Sequence, residues 1–336
     1  MDFPDGIDAQ PDVLARSAAS VRQALGDLAA PAPGELVVVT GVGANEHISR
    51  SAAAAWRAAG LRAVAVPASE LMDPGGGDVD SLADVYVALS ESGRSAETVA
   101  AMQRTSVRSV GVTNVADAPL AGVVDRLLLL DSGPDSPVYT TGYTATLQAV
   151  GLLGEHWAGL GGRVGDWSAL PERAAQVLAD SRSVVEEVRD AFDRARVVDV
   201  VGTGTAAASA GEGALVLREA ARAHTAAHET YNYLHGPMEP LDPETACLLV
   251  GDGREVRLAR DVSALGCPTL LVTSRADVDP EGLLHVVRIP ETASPLAAAA
   301  LQILPVQVLA WALAEGRGLA VDGFRYHQDD TKLATS

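Results

Sequence analysis

Cysteine is nearly absent. The chain of 336 residues has two, Cys247 and Cys267, and both fall in apolar, strand-like runs. A disulfide framework and a cysteine-rich zinc site are therefore excluded, and two buried thiols are expected. Aromatic residues are scarce at 4%, although 48% of the chain is hydrophobic, so Ala, Val and Leu must build the core. Positive charge is in deficit as well: 25 Lys and Arg stand against 44 Asp and Glu, a formal net charge of −19. Such a chain repels phosphate backbones and anionic bilayers, so neither nucleic acid nor a membrane is expected as a partner. An anionic ligand would have to be held locally against that field. No apolar run approaches about 18 residues without a polar or glycine break. The opening MDFPDG is acidic where a signal peptide is basic. A cytoplasmic location is expected.

What the sequence does have is alternation. A helix is expected from about Gln10 to Leu28, ended by the proline-rich APAPGE. Strands are expected at Glu35–Thr40, Arg62–Val66, Val85–Leu89, Ser109–Thr113 and Arg126–Leu130, each short, β-rich and bounded by turn residues. Helical patterns lie between them at Glu46–Ala59 and Ala96–Thr105, and a long one follows at Thr144–Leu160. A second series runs through strands Val197–Val201, Ala246–Val250, Thr269–Thr273 and His285–Ile289, with helices from about Ser209, over Glu255–Leu265, and from Pro295 to Glu315. Alternation of this kind predicts an α/β fold with parallel sheets covered by helices on both faces. Its repetition predicts two similar domains, at 33–165 and 195–320, with a helical lead-in at 1–32, a helical linker at 166–194 and a tail at 321–336.

The stretch Val87–Met102, VALSESGRSAETVAAM, runs from a buried strand straight into a helix through Ser90, Glu91, Ser92, Gly93, Arg94 and Ser95. In an open parallel sheet, ligands bind beyond the carboxyl ends of the strands. The first amides of the following helix lack intrahelical partners and present partial positive charge. Gly93 lets a ligand approach the backbone, and Ser90, Ser92 and Ser95 add hydroxyl donors. Together they form an anion cradle that needs no lysine. The alternative is a plain turn in which Ser95 and Thr98 only cap the helix.

The pattern S-x-S-G-x-S-x-E-T resembles the signature of the sugar isomerase (SIS) domain. A second, independent likeness lies in EGALVLRE at Glu212–Glu219 and LHGP around His235, which resemble the isomerase half of glucosamine-6-phosphate synthase and its stand-alone relatives. IDAQP (Ile7–Pro11) and the tail TKLAT with Lys332 fit the same family. No amidotransferase half with an N-terminal cysteine nucleophile is expected here. The resemblance implies tandem SIS domains, each a flavodoxin-like three-layer sandwich, and aldose–ketose isomerisation of a sugar phosphate. It implies no cofactor, and a homodimer in which His235 serves a shared active site.

Aldose–ketose interconversion moves a proton between C1 and C2 through an enediolate, so it needs a base near both carbons. The resemblance implies Glu219 as that base, His235 for ring opening, and Lys332 for charge stabilisation or imine formation. Without it, Glu219 reads as a helix carboxylate paired with Arg222, His235 as a turn histidine and Lys332 as a solvated tail lysine. On a helix, Glu212 and Glu219 share a face about 10 Å apart at a rise of ~1.5 Å per residue, and Glu212 suits a structural or substrate-orienting role. Gly41, Gly43, Thr140 and Thr141 complete the expected binding set.

Departures from the family pattern point to an altered pocket: Glu91 where Gln is common, Gly43 where Ser often stands, Val216 where the synthase has Lys, and Asn232 where Glu is usual. A carboxylate beside a phosphate dianion would repel it. A related amino- or keto-sugar phosphate is therefore expected in place of glucosamine 6-phosphate, with or without loss of an amine. Two other readings remain open. Gly41-x-Gly43 and Gly202-x-Gly204 resemble dinucleotide fingerprints but lack the third glycine and a strand-end acid. A non-catalytic SIS module that senses a sugar phosphate is the other alternative. His224 and His228, four apart, resemble a metal pair but have no third ligand in view.

Overall fold

The computed structural model describes residues 1–160, 164–326 and 328–334. Residues 161–163, at the expected end of the first domain, and 327, 335 and 336, in the expected tail, lie outside them. The chain divides into two compact units. The N-unit comprises Asp12–Pro134, Thr141–Ser168 and Arg325–Ser336, and the C-unit Met1–Pro11, Asp135–Thr140 and Ala169–Phe324.

The N-unit holds strands β1 (Leu36–Thr40), β2 (Arg62–Ala65), β3 (Val85–Leu89), β4 (Arg108–Thr113) and β5 (Arg126–Leu129). They form one parallel sheet in the order β2-β1-β3-β4-β5. Central β3, VYVAL, is buried at every residue, as a strand covered on both faces must be. Edge strand β2, RAVA, has an exposed first and third residue. Its helices are α2 (Ala44–Ala58), α3 (Ala68–Met72), α4 (Ala96–Gln103) and α5 (Thr141–Trp157), while α1 (Phe3–Leu25) passes from one residue set to the other at Pro11.

The C-unit repeats the scheme. Its sheet is built from β6 (Val197–Gly202), β7 (Thr225–Glu229), β8 (Thr245–Val250), β9 (Thr269–Thr273) and β10 (Leu284–Arg288), all parallel, in the order β7-β6-β8-β9-β10. Counted from its own first strand, each sheet has the order 2-1-3-4-5, the flavodoxin-like winding. Its helices are α7 (Ala206–Glu219), α8 (Thr230–Tyr233), α9 (Arg254–Ala264) and α10 (Pro295–Gly316), and α6 (Val164–Arg194) leads in.

Every expected strand is present to within a residue or two. Strand β7 was not foreseen. Its sequence, TAAHE, has one β-branched residue and ends in two polar ones, so propensity gives no strand signal. The chain pairs it at the sheet edge because β6 offers a free parallel partner, with Asp199 opposite Ala226 and Val201 opposite His228. This also alters the His224/His228 spacing: His228 lies on a strand, so the two do not share a helix face. Helix α10 is apolar on all sides, and by length and composition alone it would pass for a membrane span. Most of it is buried. Its two glutamines are bonded inside the C-unit: Gln307 Oε1 accepts from Gln10 Nε2 at 2.7 Å and Gln302 Oε1 from Ser209 Oγ at 3.3 Å. Both cysteines are free and buried, as expected.

The sparse aromatics of the N-unit pack against small residues. Trp56 on α2 donates from Nε1 to Val150 O at 3.0 Å and meets Trp157 edge-on at 5.6 Å. A Cβ on Gly154 would lie 2.0 Å from Trp56 Nε1 and 2.2 Å from its Cδ1. Gly154→Ala therefore overpacks a buried helix contact and is expected to destabilise the chain by about 1–3 kcal/mol, read as a lower denaturant midpoint with an unchanged slope.

Candidate functional site

In each sheet the winding reverses between the first and third strands, which is where a parallel sheet opens a crevice at its carboxyl edge. In the N-unit this edge carries Gly41 and the serine loop. A Cβ on Gly41 would lie 2.7 Å from Asn45 Cβ and 3.1 Å from the carbonyl of Leu89, so only glycine lets β1 turn into α2 beside β3. Gly43, at the N-cap of α2, has φ +58°, a conformation that excludes the family's serine without strain. These contacts account for both glycines of the expected fingerprint.

The loop Ser90–Ser95 is tied to itself and to the tail. Ser90 and Ser95 are buried, and their hydroxyls lie 3.1 Å apart. Ser95 is the N-cap of α4 but makes no side-chain cap bond, against the plain-turn reading. Gly93 has φ +63° and packs under Ala118 and Thr113. The tail runs antiparallel across this loop: Leu333 N donates to Arg94 O at 2.9 Å, and Ala96 N to Thr331 O at 3.2 Å. Lys332 Nζ thereby reaches Ser92 Oγ at 3.1 Å. A cradle read as independent of lysine thus receives an ammonium from the far end of the chain.

That ammonium answers the question raised by Glu91. Lys332 as a residue is exposed, but its amine end is crowded by the loop, and this partial burial lowers its pKa below that of a free lysine. Glu91 is the chief charge opposing the shift, with Glu97 further down. The Glu91 carboxylate therefore has a cation beside it that offsets its repulsion of an anion. Around the same edge, Thr40 Oγ1, Asn45 Oδ1 and Thr98 Oγ1 are buried polar atoms without a hydrogen-bond partner among the described residues.

The equivalent loop of the C-unit is built differently. Gly202 matches Gly41, since a Cβ there would meet Ala206 O at 2.9 Å and Val250 O at 3.1 Å. Between strand and helix, however, the loop has only Gly251, Asp252 and Gly253, where the N-unit has Ser90 to Ser95. The start of α9 is filled by the chain's own buried carboxylate: Glu255 accepts from Gly253 N at 3.2 Å and from the hydroxyl of Thr230. Only the N-unit loop leaves its hydroxyls to one another and to the tail.

The carboxylates of the C-unit lie on α7. Glu219 is its last residue, half-buried, and burial raises its pKa to about 7. It makes no ion pair with Arg222 among the described residues; Arg222 instead adopts φ +54° past the helix end. Glu212, two turns earlier, is fully buried, and neither carboxyl oxygen has a hydrogen-bond partner among the described residues. Burial first, then the charges of Glu219 and Asp135, hold its pKa well above the ordinary range. Burial thus favours the protonated, neutral form of Glu212. Asp135 was not foreseen. It accepts from Thr140 N at 3.1 Å and from Thr140 Oγ1 at 2.5 Å, which occupies the Thr140 hydroxyl. Thr141 is buried at the start of α5. The Asp-Ser-Pro turn at 135–137 was the sequence signal for Asp135.

Glu212 gives a test by pH. Its folded pKa exceeds its unfolded value, so the folded state binds the extra proton. Stability is then full below about pH 4.5 and is lost as pH rises towards the folded pKa, by up to about 1.4 kcal/mol per pH unit. Glu212→Gln removes that titration. It should leave the fold intact and flatten the loss above about pH 4.5, measured as denaturant midpoints as pH is raised from there.

His235 lies in an exposed turn just after α8. Its backbone N donates to Asn232 O at 3.0 Å. Asn232 lies in α8, capped by Glu229, whose Oε2 accepts from Asn232 N at 2.8 Å while Oε1 accepts from Thr203 Oγ1 at 2.5 Å. Val216 is fully buried, so a lysine is not accommodated there.

Comparison with known proteins places this geometry in context. Residues 192–315 match the SIS domain family. The glutamine–fructose-6-phosphate aminotransferase (isomerizing) of Thermus thermophilus is 30% identical over 256 residues, covering 70% of this chain and 42% of that protein. The same enzyme of Pyrobaculum aerophilum is 27% identical over 336 residues, 93% of this chain and 54% of that protein. The chain thus spans about half the length, or less, of these relatives. Among solved structures, the C-terminal domain of glucosamine-fructose-6-phosphate aminotransferase from Francisella tularensis superposes with a TM-score of 0.80 at 18% identity, covering 96% of this chain and 97% of that one. Glucosamine-6-phosphate deaminase from Thermotoga maritima gives 0.80 at 20% identity, with 98% of each chain covered. The fold is shared with both of these solved structures.

Proposed function

We propose that this chain, in which residues 192–315 match the SIS domain family, is a sugar-phosphate aldose–ketose isomerase, with or without release of an amine. The observation that carries the proposal is Glu219, a half-buried carboxylate without an ion pair whose pKa is raised to about 7 by burial. A general base works best when its pKa lies near the working pH. Glu219 takes the proton from C2 of an open-chain aldose and returns it to C1, through an enediolate. When C2 bears an amine, the same shift leaves an imine, and water releases it as ammonia and a ketose. His235 is assigned to ring opening, where a histidine can both accept and donate a proton. Ser90, Ser92 and Ser95 hold the phosphate, with Lys332 beside them. The net reaction needs no external electron acceptor, so the proposal calls on no cofactor. An exposed His235 turn also fits a homodimer, which sedimentation would test.

The test is turnover on a panel of hexose, ketose and amino-sugar 6-phosphates, following aldose–ketose exchange and ammonia release together. Conversion of at least one member supports the proposal. Thermal stabilisation by these ligands with no turnover of any would make the chain a sugar-phosphate sensor instead.

A further inference from the structure

The turn that carries His235 is exposed, yet it is held from beneath by a buried polar chain that none of the chemistry above uses. Two residues before His235, Tyr233 is fully buried, and its hydroxyl donates to Asp199 Oδ2 at 2.7 Å. The other oxygen of Asp199 lies 3.7 Å from His228 Nε2, and the imidazole of His228 packs on the Tyr233 ring with centroids 4.9 Å apart. The Tyr233 ring belongs to an apolar cluster with Val201, Leu249 and Val256. A buried ionisable pair is seldom the most stable filling of such a place, since apolar residues of similar volume often serve as well. What the pair does supply is direction: a hydroxyl and a carboxylate meet in one geometry only.

The surroundings show why direction is needed here. An open cavity of about 430 Å³ lies beside Asp199 and His228, and Pro237 and Pro240 of the same turn line its side. The turn's inner bonds are short-range, from His235 N to Asn232 O, Met238 N to Tyr233 O and Glu239 N to Gly236 O. Upstream, α8 is pinned by Glu229 to Thr203 and by Thr230 to Glu255. Downstream of Tyr233 the turn rests on the same apolar cluster only through partly buried Leu234, Met238 and Leu241, contacts that fix no direction. We infer that Tyr233 and Asp199 are positioning residues for His235, with their hydrogen bond fixing the orientation of the turn on that apolar cluster. The inference rests on the assignment of ring opening to His235.

A double-mutant cycle separates positioning from mere stability. Tyr233→Phe keeps the ring and removes only the hydroxyl. It is expected to lower kcat on a cyclic sugar phosphate roughly tenfold at unchanged KM, the order expected when a buried hydrogen bond that orients a catalytic group is lost. In a His235→Ala background the same change should lower kcat no further, because Tyr233 acts only through His235. Asp199→Leu keeps similar volume and removes the acceptor, serves as the second variant should Tyr233→Phe not fold, and is expected to show the same non-additivity. An equal loss with and without His235 would overturn the inference. If the wild type turns over no sugar phosphate, or His235→Ala leaves turnover intact, the functional reading beneath it fails, and that outcome is distinct from additivity.

Discussion

Glu219→Gln is expected to reduce turnover of the sugar-phosphate substrate by about 10²–10⁴-fold, the range associated with a positioned general base. Gln fills the same volume and cannot accept the proton. The argument starts from where α7 ends. Helix α7 connects parallel strands β6 and β7, so it runs antiparallel to them, and its last residue lies near the start of β7, where Arg218 Nη1 donates to Thr225 O at 2.7 Å. Burial there disfavours the carboxylate and lifts its pKa to about 7. A base acts when it is unprotonated. Wild-type kcat/KM should therefore rise with pH through a midpoint near 7, and the residual activity of Glu219→Gln should lack that limb. The stability effect runs the other way. With its folded pKa raised, wild type loses stability as pH climbs from about 4.5 to 7, and the variant does not. A variant retaining wild-type turnover and the same pH limb would remove Glu219 from the chemistry.

Gly93→Ala is expected to weaken phosphate binding by about tenfold or more while also lowering stability. At φ +63° an L-residue is strained by roughly 1–2 kcal/mol. The added Cβ would also lie 2.4 Å from Ala118 Cβ and 2.9 Å from Thr113 Oγ1. Both neighbours are fixed: Thr113 Oγ1 donates to Glu91 O at 3.0 Å, and Ala118 O accepts from Ala121 N at 2.8 Å. The strain must then be relieved by moving the loop itself, with Ser90, Ser92 and Ser95 and the tail bonded to Arg94. Titration with a sugar phosphate or with inorganic phosphate, followed by calorimetry, measures the change. Unaltered affinity in a folded Gly93→Ala protein would place the anion elsewhere.

The strands of both sheets were legible because their apolar runs are short and bounded by turn residues, and central strands such as VYVAL carry no competing helical pattern. Strand β7 was not legible: TAAHE gains its strand from a partner rather than from its own side chains. The rule that ligands gather at the carboxyl edge of a parallel sheet found the serine loop. It could not find Glu219, which lies at the opposite end of α7 from that edge and entered only through the family's motif. Lys332 was legible as a motif, but its place beside Ser92 depends on an antiparallel contact across most of the chain length, which no local pattern encodes. Glu212 reads in sequence as one helical carboxylate among many, and its raised pKa follows only from complete burial. Tyr233 and Asp199 carry no sequence signal, because strand and turn are 34 residues apart in the chain.

The central claim is that Glu219 moves a proton at C1 and C2 of a sugar phosphate. It is tested most directly by incubating candidate sugar phosphates in deuterated water and following C1 and C2 by NMR. The account predicts solvent deuterium at those carbons with wild type and none above background with Glu219→Gln. Absence of exchange in every sugar phosphate that thermally stabilises the wild-type protein would contradict it.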